Sequence, residues 1–304
     1  MTSWLTAEDA HAYSGLTTEA LALALPTITI PNLEGATATK IHAAGSKFAG
    51  LPAAFAVVRC SSGSALEILS LVVAEPFRRL GLASNLLAWL GNEAQQLHCS
   101  SLILSYPRDH ANTQAMERLT PTRQGWSHEP GLRLVHLDRK GLEALLERVN
   151  PIGVQCKRSK RFRVVAWSAL SPPQHQLLNA VEQVPQWARP NHSGNSDELG
   201  AIDSAVSQVL LDQEQPMGWL LAHRVGRSRI RVTAWWIRPG LQGRGFGLML
   251  LKPAIAKALQ CQPIYTVCSF GIASDNVSML RLSRKQLEPI SFQQQEATRA
   301  VLKW

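Results

Sequence analysis

Two segments of this 304-residue chain repeat the same order of elements, and that repeat limits the fold more than any other feature. Each segment has an alternating apolar stretch typical of a strand, then a glycine-containing loop, then an amphipathic helical stretch. Arg78 and Gln242 open the two loops and lie 164 positions apart, and Asn112 and Asn276 have the same spacing. A shared spacing without a gap predicts the duplication of one domain.

The length and composition allow two such domains. A chain of 304 residues, 45% of them hydrophobic, can bury a sizeable core in each half. We expect an N-terminal domain over residues 1–140, a linker over 141–160 and a C-terminal domain over 161–304. A last strand is predicted at Leu132–Leu137 in the first half and at Ala300–Trp304 in the second. The turn-rich segment 189–196 is predicted to be a surface loop, with a mobile lid as the alternative.

Charge and cysteine usage exclude several classes of protein. The net charge of +9 attracts polyanions, but no RRM, KH or zinc-finger spacing is present, which argues against nucleic acid as the partner. The basic run Lys157–Arg161 is expected to be a solvated linker, with a binding patch as the alternative. The five cysteines form no CxxC pair, so we expect neither a metal site nor a disulfide framework. No apolar run approaches the roughly 20 residues of a membrane helix, and we expect a soluble, cytoplasmic protein.

The loop Gln242–Gly247 has the chemistry of a phosphate cradle. Its glycines let the backbone approach an anion closely, the following helix presents free N–H groups, and Arg244 adds a charge. A dinucleotide site would need GxGxxG near the first strand and an acidic residue about 20 positions later, and a P-loop would need GxxxxGK[ST]. Neither is present. The pattern Q/R-x-x-G-x-G/A occurs in both halves, as Gln242, Gly245 and Gly247 and as Arg78, Gly81 and Ala83.

This pattern, between a strand and a helix, resembles the signature of the GNAT acyltransferase superfamily over about residues 40–138 and 160–304. The resemblance implies an α/β (mixed α+β) fold of two tandem domains, each a mixed, largely antiparallel sheet flanked by helices. It also implies acetyl-CoA or another acyl-CoA as cofactor, with the pyrophosphate on the loop and the pantetheine arm on the preceding strand. In the second half the implied cofactor-binding residues are Trp235, Trp236, Ile237, Gln242, Gly243, Arg244, Gly245, Phe246, Gly247 and Asn276. In the first half they are Leu71, Val73, Arg78, Arg79, Gly81 and Ala83.

A base is implied only in the first half. Glu67 stands eleven positions before Arg78, where the family often has a glutamate base, and burial in its apolar run would raise its pKa. The alternative is a carboxylate that faces solvent from an edge strand. The equivalent residue in the second half is Arg231, which cannot act as a base.

The general acid departs from the family pattern. Leu119 and Ser283 stand where the family often has a tyrosine, seven positions after the asparagine. Ser283 could relay a proton through water, and Tyr106 and Tyr265, on the preceding strands, are candidate substitutes.

The two halves therefore divide the features of an active site. The second has the complete loop and is favoured for cofactor binding, while the first has the candidate base, and one half is expected to be a structural copy. The predicted function is transfer of an acetyl or longer acyl group to a primary amine of a small molecule, peptide or protein. One alternative is a long-chain acyl-CoA or acyl-carrier-protein donor acting on a biosynthetic peptide. Another is a catalytically degenerate acyl-CoA-binding or interaction module.

Overall fold

A computed structural model gives the fold of this protein. It describes residues 2–17, 21–22, 25, 30–31, 40–60, 65–156, 161–190, 202–225, 228–261 and 264–304. Positions 157–160 of the basic run and 191–196 of the turn-rich segment lie outside these residues. Within the described ranges, no helix has both the length and the apolar character needed to cross a bilayer.

The chain divides into two compact units, and the first of them is discontinuous in sequence. It contains Met1–Leu132 together with Gln295–Trp304, while the second contains Arg133–Gln294. These bounds differ from the predicted domains in three places. Residues 133–140, predicted to end the first domain, belong to the second unit. The predicted linker begins within a helix of the second unit, and the last residues of the chain belong to the first unit.

In the first unit a mixed sheet has helices packed on it. The strands are β1 Thr2–Trp4, β2 Lys40–Phe48, β3 Leu51–Cys60, β4 Ala65–Val73, β5 Ser101–Pro107, residues 126–132 of β6 (Trp126–Leu137) and residues 295–303 of β12 (Gln293–Lys303). Their order is β1-β2-β3-β4-β5-β12-β6. β4 and β5 are parallel. Each of β1, β2 and β3 pairs antiparallel with the strand that follows it, and β12 pairs antiparallel with β5. The helices are α1 Ala7–His11, α2 Leu82–Gln96 and α3 Thr113–Leu119.

The core of the first unit follows the predicted periodicity. The face of α2 that carries Leu86, Leu90 and Ala94 is buried against alternate residues of β3, β4 and β5. A second cluster, around Tyr13 and Phe55, covers the other face of β2 and β3. This packing positions the N-terminus of α2, and the loop before it, at the end of β4.

The second unit has the same kind of sheet. Its strands are residues 133–137 of β6, β7 Phe162–Ala166, β8 Gln208–Asp212, β9 Gln215–Arg224, β10 Arg229–Ile237 and β11 Val267–Ala273, in the order β6-β11-β10-β9-β8-β7. β10 and β11 are parallel, and β7 to β10 pair antiparallel. The helices are α4 Arg139–Cys156, α5 Pro172–Ala180, α6 Phe246–Gln260 and α7 Val277–Leu282, which continues into a π-helical turn over Ser283–Leu287. The predicted mixed, largely antiparallel fold is confirmed.

Two apolar clusters hold the second unit together. Leu251 and Ile255 of α6 pack with Leu142 and Leu145 of α4 in the larger one. This packing is why residues 141–149 belong to the unit and not to a linker. Trp219 is buried in the cluster on the other side of the sheet.

Candidate functional site

The predicted repeat is present in the backbone at the same 164-residue spacing. β4 and β10 are both nine residues long. The helices that follow them, α2 and α6, are both 15 residues long, and each has a left-handed glycine as its N-cap. The loops between strand and helix can therefore be compared residue by residue.

A β-bulge divides each of these strands into a paired part and a diverging part. Leu69 is the extra residue in β4, and Thr233 is the extra residue at the equivalent position of β10. Among the described residues, the parallel pairing ends just before the bulge, at Ile68 with β5 and at Val232 with β11. A bulge bends its strand and increases the local twist. The C-terminal ends of β4 and β10 therefore turn away from their parallel neighbours.

The spacing is not uniform through the repeat. Ala65 pairs with Ser101, whereas Arg229 pairs with Val267, so two more residues separate the paired strands in the second unit. Two fewer residues then precede Asn276, and the 164-residue spacing is restored. The expectation of a repeat without a gap is wrong at β11, because an insertion and a deletion cancel.

The two loops share their unusual backbone angles. Arg79 and Gly243 have φ of 66° and 73°, and Gly81 and Gly245 have φ of 77° and 85°. Glycine adopts this left-handed region readily, whereas another residue there costs about 1–2 kcal/mol. The loop of the first unit therefore keeps a conformation for which Arg79 is poorly suited.

The first residue of each motif ties the loop to the end of its strand. Nε of Arg78 donates to the carbonyl oxygen of Val73 at 3.4 Å. Nε2 of Gln242 donates to the carbonyl oxygen of Ile237 at 2.8 Å. Arginine and glutamine both reach this oxygen, which explains on physical grounds why either residue type can open the motif.

A cleft of about 600 Å³ lies against the loop of the first unit. All six predicted cofactor-binding residues of this half line it: Leu71, Val73, Arg78, Arg79, Gly81 and Ala83. The facing wall is α3 and the residue before it, which contribute Asn112, Ala115, Met116 and Leu119. Sequence reasoning missed this wall. The sequence pattern that could have predicted it is the spacing of these residues at zero, three, four and seven positions from Asn112, which places them on one helical face.

The cleft suits a pyrophosphate. The first turn of α2 has backbone N–H groups that no side chain caps, and such groups bind phosphate well. A Cβ atom at Gly81 would meet nothing within 4 Å, so the approach to these groups is open. Arg78 and Arg79 add two positive charges at the same place.

A smaller cavity of about 190 Å³ lies between the diverging ends of β4 and β5. It shares Leu71, Asn112 and Met116 with the cleft, and His110 also lines it. Nδ1 of His110 accepts a hydrogen bond from the backbone N–H of Asn112 at 3.3 Å. The proton of the neutral ring is therefore on Nε2. Tyr106 also lines this cavity, but its hydroxyl is buried and burial raises its pKa.

The loop of the second unit carries larger side chains against the sheet. The indole of Trp235 lies on Gly247, where an added Cβ atom would be 3.1 Å from Nε1. The ring of Phe246 packs on Phe162 with centroids 4.6 Å apart. Arg244 is exposed.

Two other predicted residues of this half serve local structure. Trp236 is buried on the face of the sheet away from α6, with its ring 4.7 Å from that of Trp219. The side chain of Asn276 caps α7 by accepting the N–H of Met279 at 3.1 Å.

Neither alternative for Glu67, the predicted base, holds in full, because the residue is half-buried and lies on a central strand. Its side chain is 36% exposed, and its carboxylate accepts from the guanidinium of Arg59, directly opposite on β3. Alternation along β4 places it on the face opposite Leu66 and Ile68, which pack with α2.

The two predicted acids of the second unit both donate their hydroxyl hydrogen bond to a carboxylate. Ser283 is fully buried and donates to Oε1 of Glu288 at 3.2 Å. Tyr265 is buried and donates to Asp203, and burial raises its pKa. It precedes the N-terminal end of β11, whereas the loop follows the C-terminal end of β10. Eight residues of strand span about 26 Å, so Tyr265 cannot reach the loop.

Leu119 does lie where the family pattern would place its tyrosine. It lines the first cleft from α3. An aliphatic side chain at this position offers no proton. Each of the three predicted catalytic residues is thus held by a partner in its own unit. His110 is the residue beside the inner cavity that sequence reasoning missed.

The acetyltransferase (GNAT) family model matches residues 43–119 and 175–287, which together are well over half of the chain. The chain belongs to the GNAT acetyltransferase family. Both matched segments contain one strand–loop–helix repeat, so the tandem GNAT organisation is also confirmed. A search of the curated proteins gave no match.

Solved structures of GNAT proteins share this fold at low sequence identity. A tandem GNAT protein from the clavulanic acid biosynthesis pathway is 14% identical with a TM-score of 0.66, covering 100% of this chain and 98% of that one. A GCN5-related N-acetyltransferase from Sphaerobacter thermophilus is 13% identical with a TM-score of 0.59, covering 100% and 96%. The glucosamine N-acetyltransferase region of a fungal β-N-acetylglucosaminidase is 13% identical with a TM-score of 0.65, and covers 99% of this chain but 38% of that one.

Proposed function

We propose that this GNAT protein is an acyl-CoA-dependent N-acyltransferase that holds its donor in the cleft of the first unit. The acceptor is a primary amine of a small molecule, peptide or protein. One observation carries the proposal: the end of β4, the glycine loop and α3 together line a single cleft that continues into the cavity between β4 and β5. The loop would hold the diphosphate, and the cavity would hold the thioester.

The reaction needs a neutral amine and a polarised carbonyl. The amine nitrogen attacks the thioester carbon, the N–C bond forms and the C–S bond breaks. The nitrogen loses a proton and the sulfur of CoA gains one, so the products are an amide and free CoA. Nε2 of His110 would donate to the carbonyl oxygen as negative charge develops on it. Such a donor typically contributes about 10²–10³ to kcat.

Substitution of His110 tests this role. We expect His110→Ala to lower kcat about 100-fold with little change in the KM for the donor. His98→Ala, a change of the same type at an exposed turn, is the matched control. A His110→Ala enzyme with the wild-type kcat would contradict the role.

Matched substitutions in the two loops test where the donor binds. A glutamate at Gly81 would place negative charge and a strained side chain against the diphosphate, and we expect Gly81→Glu to abolish acetyl-CoA binding measured by calorimetry. The competing prediction, from the more complete motif, assigns the donor to the second loop and expects the same loss from Gly245→Glu. Retained binding in Gly81→Glu would contradict the assignment to the first unit. Release of free CoA thiol in the presence of an amine panel would test the transfer itself.

A second candidate function is a sensor or interaction module that binds acyl-CoA without turnover. Two observations favour it: Glu67 is paired with Arg59, and Leu119 occupies the position of the family's acid. Binding of CoA with no thiol release from any amine would support this function. Comparing acetyl, decanoyl and carrier-protein-bound donors would separate the remaining choices of donor.

A further inference from the structure

The two units differ at one pair of positions where their backbones agree. Leu71 and Ala83 line the cleft of the first unit, one from β4 and one from the first turn of α2. Their counterparts in the second unit are Trp235 on β10 and Gly247 in the first turn of α6. Leucine and alanine in the first unit are thus replaced by tryptophan and glycine in the second.

The indole of Trp235 lies against the first turn of α6, beside Gly247, which is the counterpart of Ala83. A Cβ atom at Gly247 would lie 3.1 Å from Nε1, 3.4 Å from Cε2 and 3.5 Å from Cζ2 of Trp235. The long edge of the ring therefore lies along the first turn of α6. Alanine at 247 would push the ring away by a few tenths of an ångström, so glycine and tryptophan fit each other.

The ring lies in a packed, aromatic part of the second unit. Trp235 is half-buried and packs with the larger apolar cluster of the second unit. Phe246, the residue before Gly247, packs on Phe162 of β7. A large aromatic side chain with such contacts is costly to displace, because it would return apolar surface to water.

We propose that Trp235 closes the second loop to acyl-CoA, so that each chain binds one donor, in the first unit. This inference rests on the proposed function, because it takes the first cleft as the donor site. A donor at the second loop would have to place its pantetheine arm between the end of β10 and the first turn of α6, where the indole lies. The second loop then keeps the backbone of a diphosphate site beside a cleft that cannot seat the pantetheine arm.

Exchanging the two pairs of residues tests the inference. The experiment measures the number of CoA molecules bound per full-length chain by titration calorimetry and native mass spectrometry. We expect one in the wild type, two in Trp235→Leu and in Trp235→Leu/Gly247→Ala, and none in Leu71→Trp/Ala83→Gly. Trp187→Leu, which removes an exposed tryptophan of the second unit, is the matched control and should still bind one.

Each outcome decides the question. Two CoA molecules on the wild type would overturn the inference and leave the proposed function intact. No CoA on the wild type would overturn the proposed function itself. A folded Trp235→Leu chain that still binds one would overturn the occlusion. Should Trp235→Leu fail to fold by circular dichroism, Trp235→Met keeps more of the packing volume and must bind two for the inference to stand.

Discussion

A single residue, Arg79, combines backbone strain with a charge at the candidate cleft. Its φ of 66° is one that glycine adopts at the same place in the second unit. Strained residues of this kind persist where the surrounding structure holds them, and they cluster at functional sites. Arg79 lines the cleft beside Arg78 and Gly81, so its side chain is a reason for tolerating the strain.

Replacing Arg79 by glycine should separate the two effects. We expect Arg79→Gly to leave the free energy of unfolding unchanged or to raise it by up to about 1 kcal/mol, because strain is relieved while chain entropy is lost. The affinity for CoA should fall about tenfold, because one charged contact to phosphate is removed. Urea unfolding and calorimetry measure the two quantities.

Ala49 provides the matched control. It has φ of 50° in the turn between β2 and β3 and does not line the described cleft. Ala49→Gly should affect stability as Arg79→Gly does and leave CoA affinity unchanged. Equal CoA affinity in Arg79→Gly and the wild type would exclude a role for this charge.

At the scale of elements, the pair β9–β10 buries a histidine at the bulge. His223 is fully buried, and its Nδ1 lies 2.8 Å from Oγ1 of Thr233, the extra residue of the bulge. Burial lowers its pKa from 6.5 to about 4. The folded sheet therefore holds this ring neutral at pH values where the unfolded chain protonates it.

The sign of the resulting pH dependence follows from proton linkage. Between pH 6.5 and about 4 the unfolded chain binds a proton that the folded chain does not. The free energy of unfolding is therefore unaffected by His223 well above pH 6.5. It falls as the pH drops toward 4, by an amount on the order of 3 kcal/mol. Urea unfolding at pH 7 and pH 4.5, followed by far-UV circular dichroism, should show this loss.

His223→Asn should remove most of that pH dependence, since an amide can retain the bond to Thr233 without titrating. His98→Asn, at an exposed turn, should behave as the wild type. The same slope in His223→Asn and the wild type would assign the pH dependence to other groups.

Elements set by local pattern could be predicted, and those set by remote partners could not. The helical face of Leu86, Leu90 and Ala94 and both glycine loops follow from residues close in sequence. The contact of Trp235 with Gly247 depends on how tightly a strand packs on a helix, which periodicity does not report. The burial of Tyr265 on Asp203 depends on a residue 62 positions away.

At the scale of the whole molecule, residues 295–304 belong to the unit that the first residues of the chain build. Ala297–Lys303 pairs with β5 along its whole length, and Nε1 of Trp304 donates to the carbonyl oxygen of Cys99 at 2.7 Å. Sequence reasoning assigned this strand to the second half, because a simple duplication closes each domain with its own last strand. The choice between two possible sheets is not encoded in a strand's own alternation.

Removal of residues 295–304 should therefore destabilise the first unit, although most of that unit is distant from them in sequence. We expect the truncated chain to lose CoA binding and the protection of β5 amides in hydrogen exchange, while the amides of β9 in the second unit stay protected. A synthetic peptide of residues 293–304 added in excess should restore part of the binding. A truncated chain that binds CoA like the wild type would contradict this prediction.

The position of β12 also has a consequence for biosynthesis. At 5–20 residues per second, β5 leaves the ribosome roughly 10–40 s before the strand that covers its edge. For that interval the nascent chain presents an apolar strand edge that invites pairing with other chains. The unit that is made first is therefore the last to be completed, and a chaperone that covers β5 during translation should raise the yield of folded protein.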